Sequence, residues 1–129
     1  MLSYKQVDHP YINMSKAERT IDMFLIMNNI KYTPQYKNDT CRNPATNYLL
    51  RYDFAILNDT DFPIFLIEAD GRQHYQSVKR WGGEKNYDKI KRNDAIKNNW
   101  AKENNIPLLR IHYWDFNKIE GIISEFINI

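Results

Sequence analysis

Two apolar runs, YLLRYDFAIL (48–57) and IFLIEAD (64–70), are separated only by NDTDFP (58–63). Runs of this length, rich in branched and aromatic residues and broken by Asn, Asp and Pro, predict two strands joined as an antiparallel hairpin. If Leu57 pairs with Ile64, then Ala55 falls opposite Leu66 and Asp53 opposite Glu68. Residues directly opposite share a face with Cβ atoms roughly 5 Å apart, and like charges so placed destabilise a hairpin. A divalent cation between them reverses the sign. Mg²⁺ suits such a pair, because it takes a few carboxylates together with water and phosphate oxygens. The strand's period of two brings Asp70 to the same face as Glu68.

The flanking segments complete a mixed α/β sandwich. In MSKAERTIDMFLIMNN (14–29), Ser15 is a good N-cap and Glu18 completes a capping box. Ala17, Ile21, Phe24 and Leu25 form an apolar stripe along the same helix. IKYTPQYK (30–37) predicts a short strand that Pro34 confines to a sheet edge, and TCRNPATN (40–47) predicts a loop. RWGGEKN (80–86) predicts a flexible loop, YDKIKRNDAIKNNWAKENN (87–105) a long helix and PLLRIHY (107–113) a strand. Ile119, Ile122, Ile123, Phe126 and Ile127 recur at helical spacing and close the chain. The expected order is helix, three strands, helix, strand, helix, in one domain over 1–129 with an irregular segment at 1–14.

At 129 residues and 43% hydrophobic, the chain can bury a core but has little room for a second module. No apolar run is long enough to span a membrane, and no secretory leader pattern opens the chain, so a cytoplasmic protein without a membrane partner is expected. The single Cys41 excludes an internal disulfide framework, and no Cys/His cluster has zinc spacing. Abundant Asn, Ile, Lys and Tyr, all with A/T-rich codons, point to a low-GC bacterium or its phage.

Charge is unevenly spread. From Lys79 to Lys102 eight cations (Lys79, Arg80, Lys85, Lys89, Lys91, Arg92, Lys97, Lys102) face three carboxylates, with Trp81, Tyr87 and Trp100 interleaved. Basic residues mixed with aromatics can follow a phosphate backbone and stack on bases; a solvated helix face reads the same way.

Several residues could carry chemistry. Glu18 either only closes its capping box or also turns toward a site. Asp94 shares a helix face with Tyr87, Ile90, Lys97 and Ala101, where burial calls for compensation by Lys97 or by a ligand. His74 follows the three carboxylates across a Gly71 turn, and an imidazole, with a reference pKa near ~6.5, suits proton transfer at neutral pH. A structural histidine is the alternative. His9 and His112 carry no assigned role.

Helix-Glu, strand-Asp, strand EAD and a basic helix together resemble the PD-(D/E)XK nuclease superfamily. EADGRQH (68–74), followed by KRNDAIKNNWAKENNIPLLRIHY (91–113), is similar to the branch of very-short-patch-repair endonucleases and phage homing endonucleases with a Glu-Asp-x-His-Asp site. The likeness runs from about Ser15 to Tyr113. It implies a restriction-endonuclease-like αβββαβα core with a mixed central sheet flanked by helices. It also implies a Mg²⁺- or Mn²⁺-dependent endonuclease acting on nucleic acid, in first place duplex DNA, and a nicking outcome. By position, Asp53 becomes the central metal ligand, Glu68 a second ligand, Glu18 a carboxylate acting through water, His74 the proton-transfer residue and Asp94 the final aspartate. Gly71 would permit the tight turn before His74. Asp70 stands where the motif has lysine, which passes that lysine's work to His74 or Lys97. Arg72, Lys79, Arg80, Lys85, Lys89, Lys91 and Arg92 would hold the backbone. The rival readings are a catalytically inactive nucleic-acid-binding or inhibitor protein on the same fold, and an RNA-directed nuclease.

Overall fold

A computed structural model describes residues 14–129, except for the side chain of Arg80. The expected irregular segment lies almost wholly outside the described residues, as does His9. Helix α1 (Lys16–Met27) is followed by strands β1 (Tyr32–Arg42), β2 (Leu49–Leu57) and β3 (Pro63–Asp70). Then come helix α2 (Gly83–Glu103), strand β4 (Leu108–His112) and helix α3 (Ile119–Ile127), with short 3-10 turns at Arg72–His74, Lys79–Trp81 and Tyr113–Lys118. The strands form one mixed sheet in the order β1-β2-β3-β4. The first three are antiparallel, and β4 lies parallel to β3, so α2 is the crossover that a parallel pair requires.

Local signals account for most boundaries. Ser15 and Glu18 form the reciprocal capping box that starts α1. Pro34 sits in edge strand β1, where its missing N–H leaves no gap in a two-sided ladder. Two expectations are corrected. Thr40, Cys41 and Arg42 belong to β1 rather than to a loop, because Cys41 is buried beside Tyr52 and Trp100 Nε1 donates to Thr40 Oγ1 at 2.9 Å. The loop expected at 80–86 is instead a 3-10 turn and the start of α2. Gly82 and Gly83, with φ of 95° and 64°, make the left-handed corner that joins them.

The sheet is covered on both faces. On one, α1 and α3 bring Ala17, Ile21, Leu25, Ile119 and Ile123 against Phe54, Ile56, Ile67 and Ile111. On the other, Trp100 and Ala101 of α2 close over Cys41, Leu50, Tyr52, Ala55 and Leu66. Leu50 and Tyr52 therefore face α2, while Phe54, two residues further on, faces α1 and α3. Alternation along β2 slips at Asp53. Opposite it, Gln35 has a φ of 54° and is skipped between the Pro34–Phe54 and Tyr36–Tyr52 pairs. No residue is inserted here, since the register is the same on both sides, and the change of alternation at Asp53 goes with the left-handed backbone of Gln35.

Candidate metal and proton-transfer site

The β2–β3 ladder follows the expected register through Ile56–Phe65, Ala55–Leu66 and Phe54–Ile67, but a shift pairs Leu57 with Pro63 rather than Ile64. The ladder ends at Phe54–Ile67, one step short of Asp53 and Glu68. Beyond it, the backbone N–H of Ala69 donates to Asp53 Oδ2 at 2.8 Å. Asp53 thus reaches across by its side chain instead of facing Glu68 as a ladder partner. It still meets Glu68 electrostatically, and both line a cavity of about 580 Å³ together with Glu18, His74, Lys97 and Gln35.

Each carboxylate has a distinct setting. Burial raises the Asp53 carboxyl well above the usual range; Glu68 and then Glu18 push it the same way, and the Ala69 N–H opposes them. Burial also raises Glu68, against the pull of Lys97 and Arg110. Lys97 Nζ donates to Glu68 Oε2 at 3.0 Å and to the Arg51 carbonyl at 3.0 Å, and it lies 5.7 Å from the Tyr52 ring centroid. Glu18 meets both of its expected descriptions. Its Oε1 accepts the Ser15 N–H at 2.8 Å in the capping box, and its carboxyl adjoins Asp53 in the cavity.

A second set of groups backs the first. His74 Nδ1 lies 2.8 Å from Asp94 Oδ2 and 3.6 Å from Asp70 Oδ1. Burial works to raise the Asp94 carboxyl, but the His74 hydrogen bond and the Arg110 charge outweigh it and hold the pKa below its ordinary value. An ionised Asp94 favours the tautomer with its proton on Nδ1, leaving the lone pair on Nε2. Lys97 is engaged by Glu68 and the Arg51 carbonyl, so of the two compensations open to Asp94 an ion pair with Lys97 is not the contact made: His74 and Arg110 meet it directly, and Lys97 acts on it only through its charge.

Asp70 plays a different part from the one its position in the motif implies. It is 2% exposed, and Arg110 Nη1 donates to both its oxygens at 3.0 Å. The same Nη1 lies 3.5 Å from Asp94 Oδ1. The parallel β3–β4 register sets Glu68 beside Arg110 and Asp70 beside His112, which brings the guanidinium to these carboxylates. Sequence reasoning missed Arg110. Its signal was a lone arginine inside the apolar PLLRIHY, where a buried cation needs an acidic partner. The role given to Gly71 is also corrected: with φ −70° and ψ 178° its backbone is extended, as any residue allows. An added Cβ would meet the end of the Gln73 side chain, at 2.6 Å from Oε1, and that group can rotate away.

The expected phosphate-binding cations lie outside the cavity lining. Arg72, Lys79, Lys85, Lys89, Lys91 and Arg92 are exposed. Lys85, Lys89 and Arg92 share one shallow groove on α2 with Gly82 and Asn86, Arg72 sits 5.7 Å from the Trp81 ring centroid, and the Arg80 side chain is outside the described residues. Among the described residues, no group of three or more His, Cys, Asp or Glu side chains could by itself hold a metal ion. Also among the described residues, no helix is long and apolar enough to cross a membrane. Compared with protein-family models, curated proteins and solved structures, the chain finds no match in any of the three.

Two of the shifted carboxyls, Asp53 and Asp94, carry opposite pH signatures. Asp53 binds its proton more tightly folded than unfolded, so its effect on stability is most favourable in acid. That advantage is lost as pH rises from the ordinary carboxylate range, near ~4, through the raised value. Asp94 holds its proton less tightly folded, so its contribution is present above the ordinary range and lost as pH falls below it. In thermal melts with EDTA, Asp53→Asn should flatten the decline toward neutral pH, and Asp94→Asn should remove part of the acid-side loss. A melting profile unchanged by Asp53→Asn would contradict the burial of a strained carboxyl there.

Proposed function

We propose that the protein is a metal-dependent nuclease that hydrolyses phosphodiester bonds, with a restriction-endonuclease-like core of the PD-(D/E)XK type. The observation that carries this reading is the meeting of Asp53, Glu68 and Glu18 with Lys97 and His74 in one cavity, with Asp94 holding His74 from behind. A buried carboxyl whose ionisation two neighbouring carboxylates oppose, as at Asp53, is costly to a bare fold. A hard divalent cation offsets that cost, and Mg²⁺ commonly takes one or two carboxylates and completes its shell with water and phosphate oxygens. The donor set fits this habit, with Asp53 and Glu68 as the holding residues. Bound there, Mg²⁺ or Mn²⁺ would lower the pKa of a coordinated water and offset charge on the phosphate.

The chain's own residues supply the rest. Lys97 presents from α2 the cation that the motif usually carries on the strand, where Asp70 stands instead. Asp94 holds the His74 Nδ1–H, so that Nε2 is the atom that takes or returns a proton. Asp70 holds Arg110, and Arg110 braces Asp94, so both act by positioning. Incubating the purified protein with plasmid, linear duplex and RNA, with Mg²⁺ and with EDTA, tests the reading. Cleavage that needs the metal is expected; full activity in EDTA, or no cleavage of any substrate, would sink it.

The exposed cations of α2 are proposed to meet the phosphate backbone. Replacing Lys85, Lys89 and Arg92 together with Ala should weaken binding to all duplex sequences alike. The log–log salt dependence of affinity should flatten by up to about 0.9 for each phosphate that the variant no longer neutralises. An unchanged slope would return this groove to an ordinary solvated helix face.

A further inference from the structure

Beside the candidate site, at the end of β4, stands a cluster of rings that the proton-transfer and metal residues do not use. His112 and Trp114 stack at 4.7 Å between centroids with 16° between their planes. Tyr75 packs 4.8 Å from Trp114 and 5.3 Å from His112, its hydroxyl hydrogen-bonded to His112 Nδ1. Tyr113 meets Trp114 edge-on at 5.2 Å. This packing still leaves Trp114 55% exposed. Lys91 Nζ lies 5.7 Å from the Tyr75 centroid and 5.8 Å from that of Tyr87, so a cation flanks the rings. Tyr75 joins the cluster to the candidate site's surroundings: its ring is 6.5 Å from that of its neighbour His74, and its hydroxyl also donates to Asp70 Oδ2 at 3.4 Å.

We propose that Trp114, backed by His112 and Tyr75, is a stacking platform for one unpaired nucleobase of the strand whose phosphate enters the neighbouring cavity. An indole held rigid by rings behind it loses little freedom on stacking, and every base offers it a π-face. Lys91, over the Tyr75 and Tyr87 rings, adds a cation beside the cluster for the strand's phosphates. A base inside an intact duplex is covered by its neighbours, so the platform favours a single strand, an end or a flipped nucleotide. This inference rests on reading the adjacent cavity as a phosphodiester site, and it names the form of nucleic acid that site receives.

The test uses the full chain carrying Asp53→Asn, so that strands are bound without being cut. Labelled oligothymidylate, oligouridylate, a duplex and an abasic strand of equal length are titrated against it, with and without Trp114→Ala. The alanine change should weaken binding of the two single strands roughly 5- to 150-fold, the range for one stacked base. Trp114→Phe should retain most of the affinity, and the abasic strand should bind all three proteins alike. Loss with only one of the two oligonucleotides would still support the platform and would assign it to DNA or to RNA. Equal affinity after Trp114→Ala, or an equal loss on the abasic strand, would overturn it and leave the rings as a packed plug. Should the alanine variant melt at the assay temperature, indole emission decides. The part of the emission removed by Trp114→Phe should be quenched by oligothymidylate and not by the abasic strand, and no such quenching would overturn the proposal. If the unmutated chain cuts nothing in Mg²⁺ while the Trp114 effect persists, the nuclease reading fails and the platform stands.

Discussion

Asp53→Asn should abolish Mg²⁺-dependent cleavage and, in the same preparation, raise the melting temperature of the metal-free protein. Both effects have one cause. The Asp53 carboxyl is buried where Glu68 and Glu18 oppose its ionisation, and an amide of nearly the same shape removes that repulsion while keeping an oxygen for the Ala69 N–H. Losing a metal-holding carboxylate removes several kcal/mol of charge stabilisation in the transition state. At about 1.4 kcal/mol per tenfold, that is a fall in rate on the order of 10²–10³ or more. Single-turnover cleavage and thermal melts in EDTA measure the two halves. An Asp53→Asn enzyme of near-parental rate would remove Asp53 from the site, whatever its melting temperature.

His74→Ala should cost roughly 10²–10⁴-fold in single-turnover rate, the usual contribution of a positioned acid–base group, with nucleic-acid affinity nearly unchanged. Where His74 acts as a base, the rise of rate with pH should vanish in the variant. Repeating the profile in Mn²⁺ separates this from titration of metal-bound water, which shifts with the metal. Asp94→Asn should lose rate as well, because a neutral amide no longer favours the Nδ1–H tautomer. If His74 is only structural, His74→Ala would instead melt earlier and its folded fraction would cut at the parental rate.

The order of elements was legible in the sequence because each carries a local signal: the capping box at Ser15 and Glu18, the continuous apolar run that opens 64–70, and the helical spacing of isoleucines from Ile119. The capping box also illustrates a limit of that reading, since it left open whether Glu18 faced anything else. The companionship of Asp53 and Glu68 was read from a register that holds for three pairs and then stops. The slip of alternation at Asp53 depends on how β1 and β2 share two different cores, which no period of two can show. Arg110 was invisible for a related reason. Its partners come from β3 and α2, and only the parallel placement of β4 beside β3 brings them together.

Helix α2 is held like a lever fixed at one end. Its buried residues, Trp100 and Ala101, both lie in the C-terminal part, while its start, made by the left-handed Gly82 and Gly83, has no side-chain cap. Between these ends, Ile96 packs against the core, and polar contacts hold the helix over the cavity: Lys97 to Glu68, the Tyr52 hydroxyl to the Lys97 carbonyl at 2.6 Å, Asp94 to His74, and Asn93 Oδ1 accepting from Asn43 Nδ2 at 2.9 Å. Opening of this segment alone would separate these contacts while Trp100 and Ala101 stay packed, and so costs less than global unfolding.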